Sequence, residues 1–333
     1  MSMGRAYFHR SLFQLELWVQ KRGPAKGLTS QGRAFVLERP KSLREVKAMI
    51  EGMGLALVTG ASSGMGRETA KRLAQKGLKV IVAARRLERL QELSSQHKHI
   101  IPKPVDLSNP EEVTAFCQYL STLPEPISVL INNAGYSIRG ALEDVPPEAV
   151  RRVFQVNLFS LIQVTQACLP AMRRQRKGRI VNISSMVGKF PFPMSGVYAA
   201  TKHALEAITD ALRLEVAPFG IKVVAVRPGF VNTEFNEAAT RITGDLMSRT
   251  DPDYRPLYEK AGASVGKLFV NATVPGPEAI ADLILEAALS EHPKLVYSGG
   301  FLSQEMQGKR SQLDDDGFYR FLGELTGLGS LKV

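Results

Sequence analysis

The stretch TGASSGMG, residues 59–66, decides the fold of this chain. It follows a short apolar run, LALVT (55–59), and precedes a stretch with helical spacing, RETAKRLAQKG. Glycines at such a strand-to-helix turn let the backbone approach a pyrophosphate closely, and the helix N-terminus favours its negative charge. Gly60 and Gly64 stand two residues further apart than the first two glycines of the most familiar dinucleotide-binding turn. An ordinary glycine-rich turn is the alternative.

The rest of the chain repeats this unit, with apolar runs that end in small or polar residues and lead into longer stretches of helical spacing. The seven runs are LALVT (55–59), KVIVAA (79–84), IIPKPVD (100–106), SVLINN (128–133), RIVNIS (179–184), KVVAVR (222–227) and KLVYSG (294–299). Continuous apolar runs separated by helices are typical of a parallel sheet that is buried on both faces. We therefore predict an α/β fold: a single Rossmann-type, doubly wound domain with a seven-stranded parallel sheet.

No Pro/Gly/Ser-rich linker divides the chain after residue 53, so we assign residues 53–333 to that one domain. Within it we expect a substrate lid at about 234–275 and a C-terminal tail at about 300–333. Residues 1–52 lack the alternation and are rich in Arg and Lys. They are compatible with a targeting peptide, an accessory segment or translation from an upstream start.

The chain has 333 residues and a net charge of +11, of which the first 50 residues carry +7, from ten Lys and Arg against three Glu. A second basic cluster, RRQRKGR (173–179), ends a helical pattern, where cations are favoured by the helix dipole. This distribution argues against a nucleic-acid-binding protein. No run of 18 apolar residues occurs, so we expect no transmembrane segment.

The cysteines and histidines give no sign of a metal site. Cys117 and Cys168 stand alone in helix-like contexts, and the five histidines are scattered. We predict no metal and a reducing compartment, with a cytoplasmic location, while targeting to an organelle by residues 1–50 stays open.

The end of the second strand bears on the choice of nicotinamide cofactor. A carboxylate at this place binds the ribose hydroxyls of NAD, whereas an arginine accommodates the 2'-phosphate of NADP. Here Ala84 is followed by Arg85 and Arg86, with no acid, which favours NADP. For Arg86 a solvated loop position is the alternative. Asp106, at the end of the third strand, is placed to bind the adenine amino group or to form a turn.

Three further motifs follow the glycine-rich turn: NNAG (132–135), NISS (182–185) and YAATK (198–202). In this order and spacing the four motifs resemble the short-chain dehydrogenase/reductase family, and the helix around YAATK resembles its hydroxysteroid-dehydrogenase-like and carbonyl reductase branch. The resemblance covers about residues 55–300. It implies an oxidoreductase that interconverts a ketone or aldehyde with an alcohol, and it implies roles for particular residues.

Tyr198 would be the general acid or base, although a free phenol gives up its proton reluctantly because it titrates near ~10. Lys202, one helical turn on, would stabilise the phenolate and hold the nicotinamide ribose. Ser185, thirteen residues before the tyrosine, would donate a hydrogen bond to the substrate oxygen, with Ser184 as the competing candidate. Asn157 falls where the family has a helix asparagine that supports a proton-relay water.

RPGFVNT (227–233) resembles the family segment that contacts the nicotinamide carboxamide. The complete set of implied cofactor contacts comprises Gly60, Ser62, Ser63, Gly64, Met65, Gly66, Arg85, Asp106, Asn133, Ala134, Gly135, Tyr198, Lys202, Pro228, Gly229, Val231 and Thr233.

We expect NADP(H) as the cofactor and a bulky, apolar carbonyl or alcohol as the substrate, of lipid, steroid or retinoid size. Apolar residues between Ser185 and Tyr198 and in the lid suggest this pocket: Met186, Phe190, Phe192, Met194, Phe235, Ile242, Leu246, Met247, Tyr254, Leu257 and Tyr258. Packing of the lid on the domain, or a subunit contact, is the alternative. A homo-oligomer is possible, and a non-catalytic sensor of nicotinamide nucleotides is the alternative function.

Overall fold

The computed structural model describes residues 54–332, apart from the side chains of Asn236 and Ala238. The expectations for residues 1–52, namely a targeting peptide, an accessory segment or an upstream start, lie outside these residues.

A single parallel sheet of seven strands forms the centre of the domain. The strands are β1 Leu55–Thr59, β2 Val80–Ala84, β3 Ile100–Pro104, β4 Ile127–Asn132, β5 Gly178–Ile183, β6 Ile221–Pro228 and β7 Val296–Gly299. All six strand pairs are parallel, in the order β3-β2-β1-β4-β5-β6-β7. The predicted fold is confirmed, and each predicted apolar run overlaps one strand, with bounds that differ by at most two residues.

Helices cover both faces of the sheet. They are α1 Gly64–Gln75, α2 Leu87–Gln96, α3 Pro110–Ser121, α4 Pro147–Phe154, α5 Ser160–Gln175, α6 Gly196–Val216, α7 Glu234–Arg249, α8 Arg255–Leu268, α9 Pro277–Leu289, α10 Ser303–Gln312 and α11 Asp315–Thr326. Helix α1 packs on α9, and α3 packs on α5. Every residue of β1, β2, β4 and β5 is buried as a result, which explains their continuous apolar sequences.

The strand order reverses direction between β1 and β4, which are neighbours in the sheet. The chain winds outward from β1 to β3 on one side and from β4 to β7 on the other. At such a switch point the loops after the two strands separate and leave a crevice at their carboxyl ends. The glycine-rich turn follows β1 and the NNAG motif follows β4, so both open on this crevice.

Strand β3 lies at one edge of the sheet and contains Pro102 and Pro104. Just beyond it, the amide of Val105 donates to the carbonyl of Ala84 at 3.1 Å. Successive amides of a strand point in opposite directions, so residues 101 and 103 face β2, and the two prolines face the outer edge. The prolines therefore remove no bond from the β2–β3 ladder.

The predicted lid consists of two helices, α7 and α8, in place of an irregular loop. In the part of the chain that the structure describes, no helix is both long enough and apolar enough to span a bilayer.

Candidate active site

A cavity of about 850 Å³ lies at the carboxyl ends of the central strands. The glycine-rich turn, the loops after β2, β4, β5 and β6, and helices α6, α7 and α8 contribute to its wall. Sixteen of the predicted site residues or their alternates line it: Gly60, Ser63, Gly64, Met65, Arg85, Asn133, Ala134, Gly135, Ser184, Ser185, Tyr198, Lys202, Pro228, Gly229, Val231 and Thr233.

Tyr198 and Lys202 lie one turn apart in the first half of helix α6, with both side chains toward the cavity. Lys202 is buried to 4% exposure, and its Nζ donates to the carbonyl of Ile183 at 2.8 Å. The same nitrogen lies 5.8 Å from the centroid of the Tyr198 ring. The end of strand β5 thus holds the ammonium group beside the tyrosine.

Burial shifts both side chains toward their neutral forms. Burial raises the pKa of Tyr198 to about 12, although a hydrogen bond with Ser185 and the charge of Arg139 oppose the shift. Burial also lowers the pKa of Lys202 to about 8, against the influence of Glu206. The protein alone therefore keeps Tyr198 protonated at neutral pH, which suits a proton donor.

Ser185 and Ser184 both lie at the cavity wall after strand β5, but only one is bonded to the tyrosine. Ser185 Oγ accepts from the amide of Val187 at 3.3 Å and forms the hydrogen bond with Tyr198. Ser184 is buried, and within the described residues its hydroxyl has no hydrogen-bond partner. Of the two serines, Ser185 is therefore the one that interacts with Tyr198.

Asn157 lies behind the cavity wall, in the π-helical turn Gln155–Phe159 between α4 and α5. It is fully buried. Its Oδ1 accepts from the amide of Tyr136 at 3.0 Å, and its Nδ2 donates to Thr201 Oγ1 at 3.1 Å. Such local widening of a helix is frequent at functional sites, and here it ties the loop after β4 to helix α6.

Two positions of the turn after β1 require glycine because the loop after β4 lies too close to them for a side chain. A Cβ on Gly60, which has a φ of +67°, would lie 2.7 Å from Ala134 Cα, and one on Gly66 would lie 2.4 Å from Asn133 Nδ2. Asn133 Nδ2 donates to the carbonyl of Thr59 at 2.9 Å. Gly66 accordingly packs helix α1 against the β4 loop and does not line the cavity.

The N-terminus of α1 faces the cavity, with no acidic residue in its first turn and no side-chain cap from Ser63. Arg85, Arg86 and Arg89 line the same region. Uncapped amides and arginines together suit the phosphate groups of a dinucleotide, and the residues present therefore fit a nicotinamide dinucleotide.

An acidic residue that the sequence did not indicate lies among these arginines. Glu234, the first residue of α7, pairs with Arg86 at 2.9 Å and with Arg89 at 2.5 Å. Arg86 also donates to Ser62 Oγ and Ser63 Oγ, each at 3.0 Å. These arginines hold the pKa of the Glu234 carboxyl below its usual range. The lid is therefore attached to the cationic end of the cavity.

Two residues predicted to contact the cofactor, Asp106 and Ser62, instead bond to neighbouring side chains and backbone. Asp106 does not line the cavity; its Oδ1 accepts from the amide and the hydroxyl of Ser108, both at 2.8 Å, as in an ordinary Asx turn. Ser62 is buried beneath Arg86 and does not line the cavity either.

The expectation that many apolar lid residues converge on the catalytic group is wrong for most of them. Only Phe235 of the predicted lid set lines the cavity, with its ring centroid 5.9 Å from that of Tyr198. Ile242 and Leu246 pack against a cluster that includes Ile138 and Val153. The alternative of a lid packed on the domain holds for them, because α7 presents its apolar stripe to the core and not to the cavity.

The hydroxyl of Tyr258 also attaches the lid to the domain. It accepts from the amide of Ala141 at 2.9 Å and donates to Asp144 at 2.7 Å. Phe190, from the loop before α6, is 1% exposed and packs edge-on against Phe318 of the C-terminal tail. Met194 does not line the cavity.

Met247, Tyr254 and Leu257 also lie off the cavity wall. The apolar residues of that wall include Met186, Val187, Phe192, Phe230, Phe235, Val265 and Leu268.

Arg139 is a further cavity residue that the sequence did not indicate. It is half-buried beside Tyr198, and burial lowers its pKa while the tyrosine oxygen opposes the shift. No motif marks it, because an arginine after NNAG looks like any loop cation. Within the described residues, no three His, Cys, Asp or Glu side chains cluster as metal ligands do.

Comparison with known proteins identifies the family and two relatives. The short chain dehydrogenase family profile matches residues 54–243. The uncharacterized oxidoreductase YusZ of Bacillus subtilis is 36% identical over 251 residues, covering 72% of this chain and 86% of that protein. The dehydrogenase/reductase SDR family protein 7-like of Anopheles gambiae is 37% identical over 207 residues, covering 59% of this chain and 65% of that protein.

Among solved structures, a short-chain dehydrogenase from Sphingobium yanoikuyae in complex with NADPH superimposes with a TM-score of 0.62 at 27% identity. The superposition covers 79% of this chain and 97% of that one.

Proposed function

This chain belongs to the short-chain dehydrogenase/reductase family, and on that premise we propose that it is an NADP(H)-dependent oxidoreductase that interconverts a ketone or aldehyde with an alcohol. The observation that carries the proposal is the meeting of Tyr198, Lys202 and Ser185 on one wall of the cavity, across from the glycine-rich turn. A sensor that only binds nucleotides would not need a tyrosine and a serine that interact in the cavity.

Each residue has a role that its surroundings support. The nicotinamide, when bound, would supply or accept the hydride. Tyr198 would give its hydroxyl proton to the carbonyl oxygen in reduction and take it back in oxidation. Ser185 would donate a hydrogen bond to the same oxygen, where negative charge develops. Lys202, fixed by the carbonyl of Ile183, would lower the cost of the tyrosinate.

We assign the cofactor as NADP(H) because arginines and no carboxylate follow strand β2. Arg85 is exposed at the cavity rim, at the position where an arginine accommodates the 2'-phosphate. The Sphingobium yanoikuyae relative in complex with NADPH is consistent with this choice.

We further propose that the substrate has a bulky apolar part. Met186, Phe192 and Phe235 line the cavity near Tyr198, and Val265 and Leu268 of α8 line it on the lid side. These side chains favour burial of an alkyl or ring system next to the reacting carbonyl.

One assay tests both parts of this assignment. A ketone series of rising apolar size is reduced with NADPH or NADH, for wild type and Arg85→Ala. We expect kcat/KM to rise with chain length and NADPH to be preferred. Loss of a charge-assisted bond to the 2'-phosphate should weaken NADPH binding by roughly ten- to a hundredfold in Arg85→Ala.

NADH is the matched control in that assay, because it lacks only the phosphate and its affinity should not change. Equal affinities of NADPH and NADH for the wild type would contradict the cofactor assignment. Absence of turnover with every ketone and both cofactors would contradict the activity.

A further inference from the structure

The charges on the cavity wall are unevenly distributed. Six cationic side chains line it against two carboxylates, the acids being Glu234 and Glu237. The arginines after strand β2 and Glu234 occupy the end where the dinucleotide phosphates would bind. The rest of the wall retains Lys202, Arg139 and Arg241 against Glu237, so it carries more cationic than anionic side chains.

Arg139 is the cavity arginine that interacts with Tyr198. Its charge interacts with the Tyr198 oxygen, and its side chain is half-buried at the cavity wall. Met186, Phe192 and Phe235 contribute apolar surface to the same cavity wall. A guanidinium in such surroundings binds an oxyanion more strongly than one in water does, because less water competes for it.

The backbone around Arg139 is held in place from two sides. The amide of Gly140 donates to the carbonyl of Met194 at 2.7 Å, and the amide of Ala141 donates to Tyr258 Oη at 2.9 Å. A Cβ on Gly140 would lie 2.8 Å from Leu246 Cδ1, so the lid packs directly on this loop. The backbone next to Arg139 is therefore fixed between the loop before α6 and helix α8.

We propose that Arg139 is a specificity-determining residue that binds an anionic group of the substrate, so that the substrate is a carbonyl compound with a carboxylate or phosphate group close to its carbonyl and an apolar chain beyond it. This inference deepens the proposed function and rests on it. The anionic group must be close to the carbonyl because Arg139 acts on the same hydroxyl that would protonate the carbonyl oxygen.

The test uses three ligands of equal chain length: a linear methyl ketone, the corresponding α-keto acid and the corresponding β-keto phosphonate. The full chain and the variants Arg139→Met and Arg139→Lys are assayed for kcat/KM with NADPH. The wild type should prefer at least one anionic ketone to the methyl ketone. Arg139→Met should lose that preference by roughly ten- to a hundredfold and change the methyl ketone little. Arg139→Lys should retain part of it.

Arg151→Met is the matched control, since Arg151 is exposed on α4 and does not line the cavity. It removes the same charge and should leave all three rates unchanged. Comparison of the α-keto acid with the β-keto phosphonate shows whether the anionic group of the substrate is a carboxylate or a phosphate.

Calorimetry of the same ligands with the NADP⁺-bound protein gives a second measurement that does not depend on turnover. If the wild type binds an anionic ligand more tightly than the methyl ketone, and Arg139→Met loses this difference, the inference is supported even when no ketone is reduced. Absence of reduction would contradict only the proposed activity. If Arg139→Met slows all three ketones equally, or the wild type shows no anion preference in either measurement, the inference is wrong, and Arg139 acts only on Tyr198.

Discussion

The two ends of the cavity are built in different ways. At the end around Tyr198, Lys202 and Asn157 are buried and bonded to main-chain groups of β5 and of the loop after β4. At the cationic end the Arg86 and Glu234 side chains remain 42% and 44% exposed and bind each other. Buried polar groups need fixed partners, whereas exposed ion pairs are screened by water and salt. The first end is therefore preorganised, and the second is adaptable.

The first turn of helix α7 connects these two ends. Glu234 reaches the arginines of the cationic end, and the next residue, Phe235, packs its ring against that of Tyr198. Cofactor phosphate and substrate would therefore meet neighbouring residues of one lid helix. The contrast between the ends can be tested by substitutions on either side of this turn.

The largest effect is expected at the preorganised end, from Tyr198→Phe. The substitution deletes one hydroxyl and little volume, so the buried surroundings should not rearrange. We expect turnover to fall by ~10²- to 10⁴-fold, as is typical for loss of a general acid or base. NADPH affinity, measured by nucleotide fluorescence, should be nearly unchanged. A variant that kept more than about a tenth of the wild-type rate would remove Tyr198 from the mechanism.

Lys202→Met should give the next largest loss, about 10²-fold in kcat/KM, because it removes the cation that, in the proposed function, would stabilise the tyrosinate and hold the ribose. The pH profile provides a sharper test. Burial brings the pKa of Lys202 down to about 8, so the side chain is charged below that pH and loses its proton above it.

For the wild type, NADPH affinity should therefore decrease as the pH rises through about 8, and Lys202→Met should show a low affinity without this decrease. An identical decrease in the variant would mean that another group titrates.

The smallest effect is expected at the adaptable end, from Glu234→Gln. A 2'-phosphate near Arg86 and Arg89 would compete with the Glu234 carboxylate for these arginines. Removal of the carboxylate should therefore tighten NADPH binding by about two- to fivefold at low salt, and less at high salt. Asp245→Asn is the matched control, since Asp245 is exposed on the same helix and does not line the cavity, and it should have no such effect. Weaker NADPH binding in Glu234→Gln would mean that the carboxylate positions the arginines for the cofactor.

The fold was predictable because its signal is local. Each buried strand is a short apolar run, and the turn TGASSGMG needs glycine where Gly60 approaches Ala134. The strand order places NNAG and NISS beside that turn, and a family resemblance supplied the same expectation. The gathering of Tyr198, Lys202 and Ser185 at one wall follows from these local signals.

What could not be predicted depends on contacts between distant segments. Whether Phe190 faces a substrate or Phe318 of the C-terminal tail is decided by packing across more than a hundred residues. The sequence suggests that Leu246 lines the substrate pocket, but the residue packs in a buried cluster with Ile138 and Val145. The pairing of Glu234 with Arg86 likewise joins segments that no local pattern relates.

The edge strand β3 has a consequence for how the protein behaves at high concentration. An open sheet edge offers unpaired amides to any extended chain, and edge-to-edge pairing of that kind leads to aggregation. Because Pro102 and Pro104 occupy the outward-facing positions of β3, this edge has no amide donor at either of them. A second chain cannot continue the ladder there, so β3 resists intermolecular strand addition without the help of a covering helix.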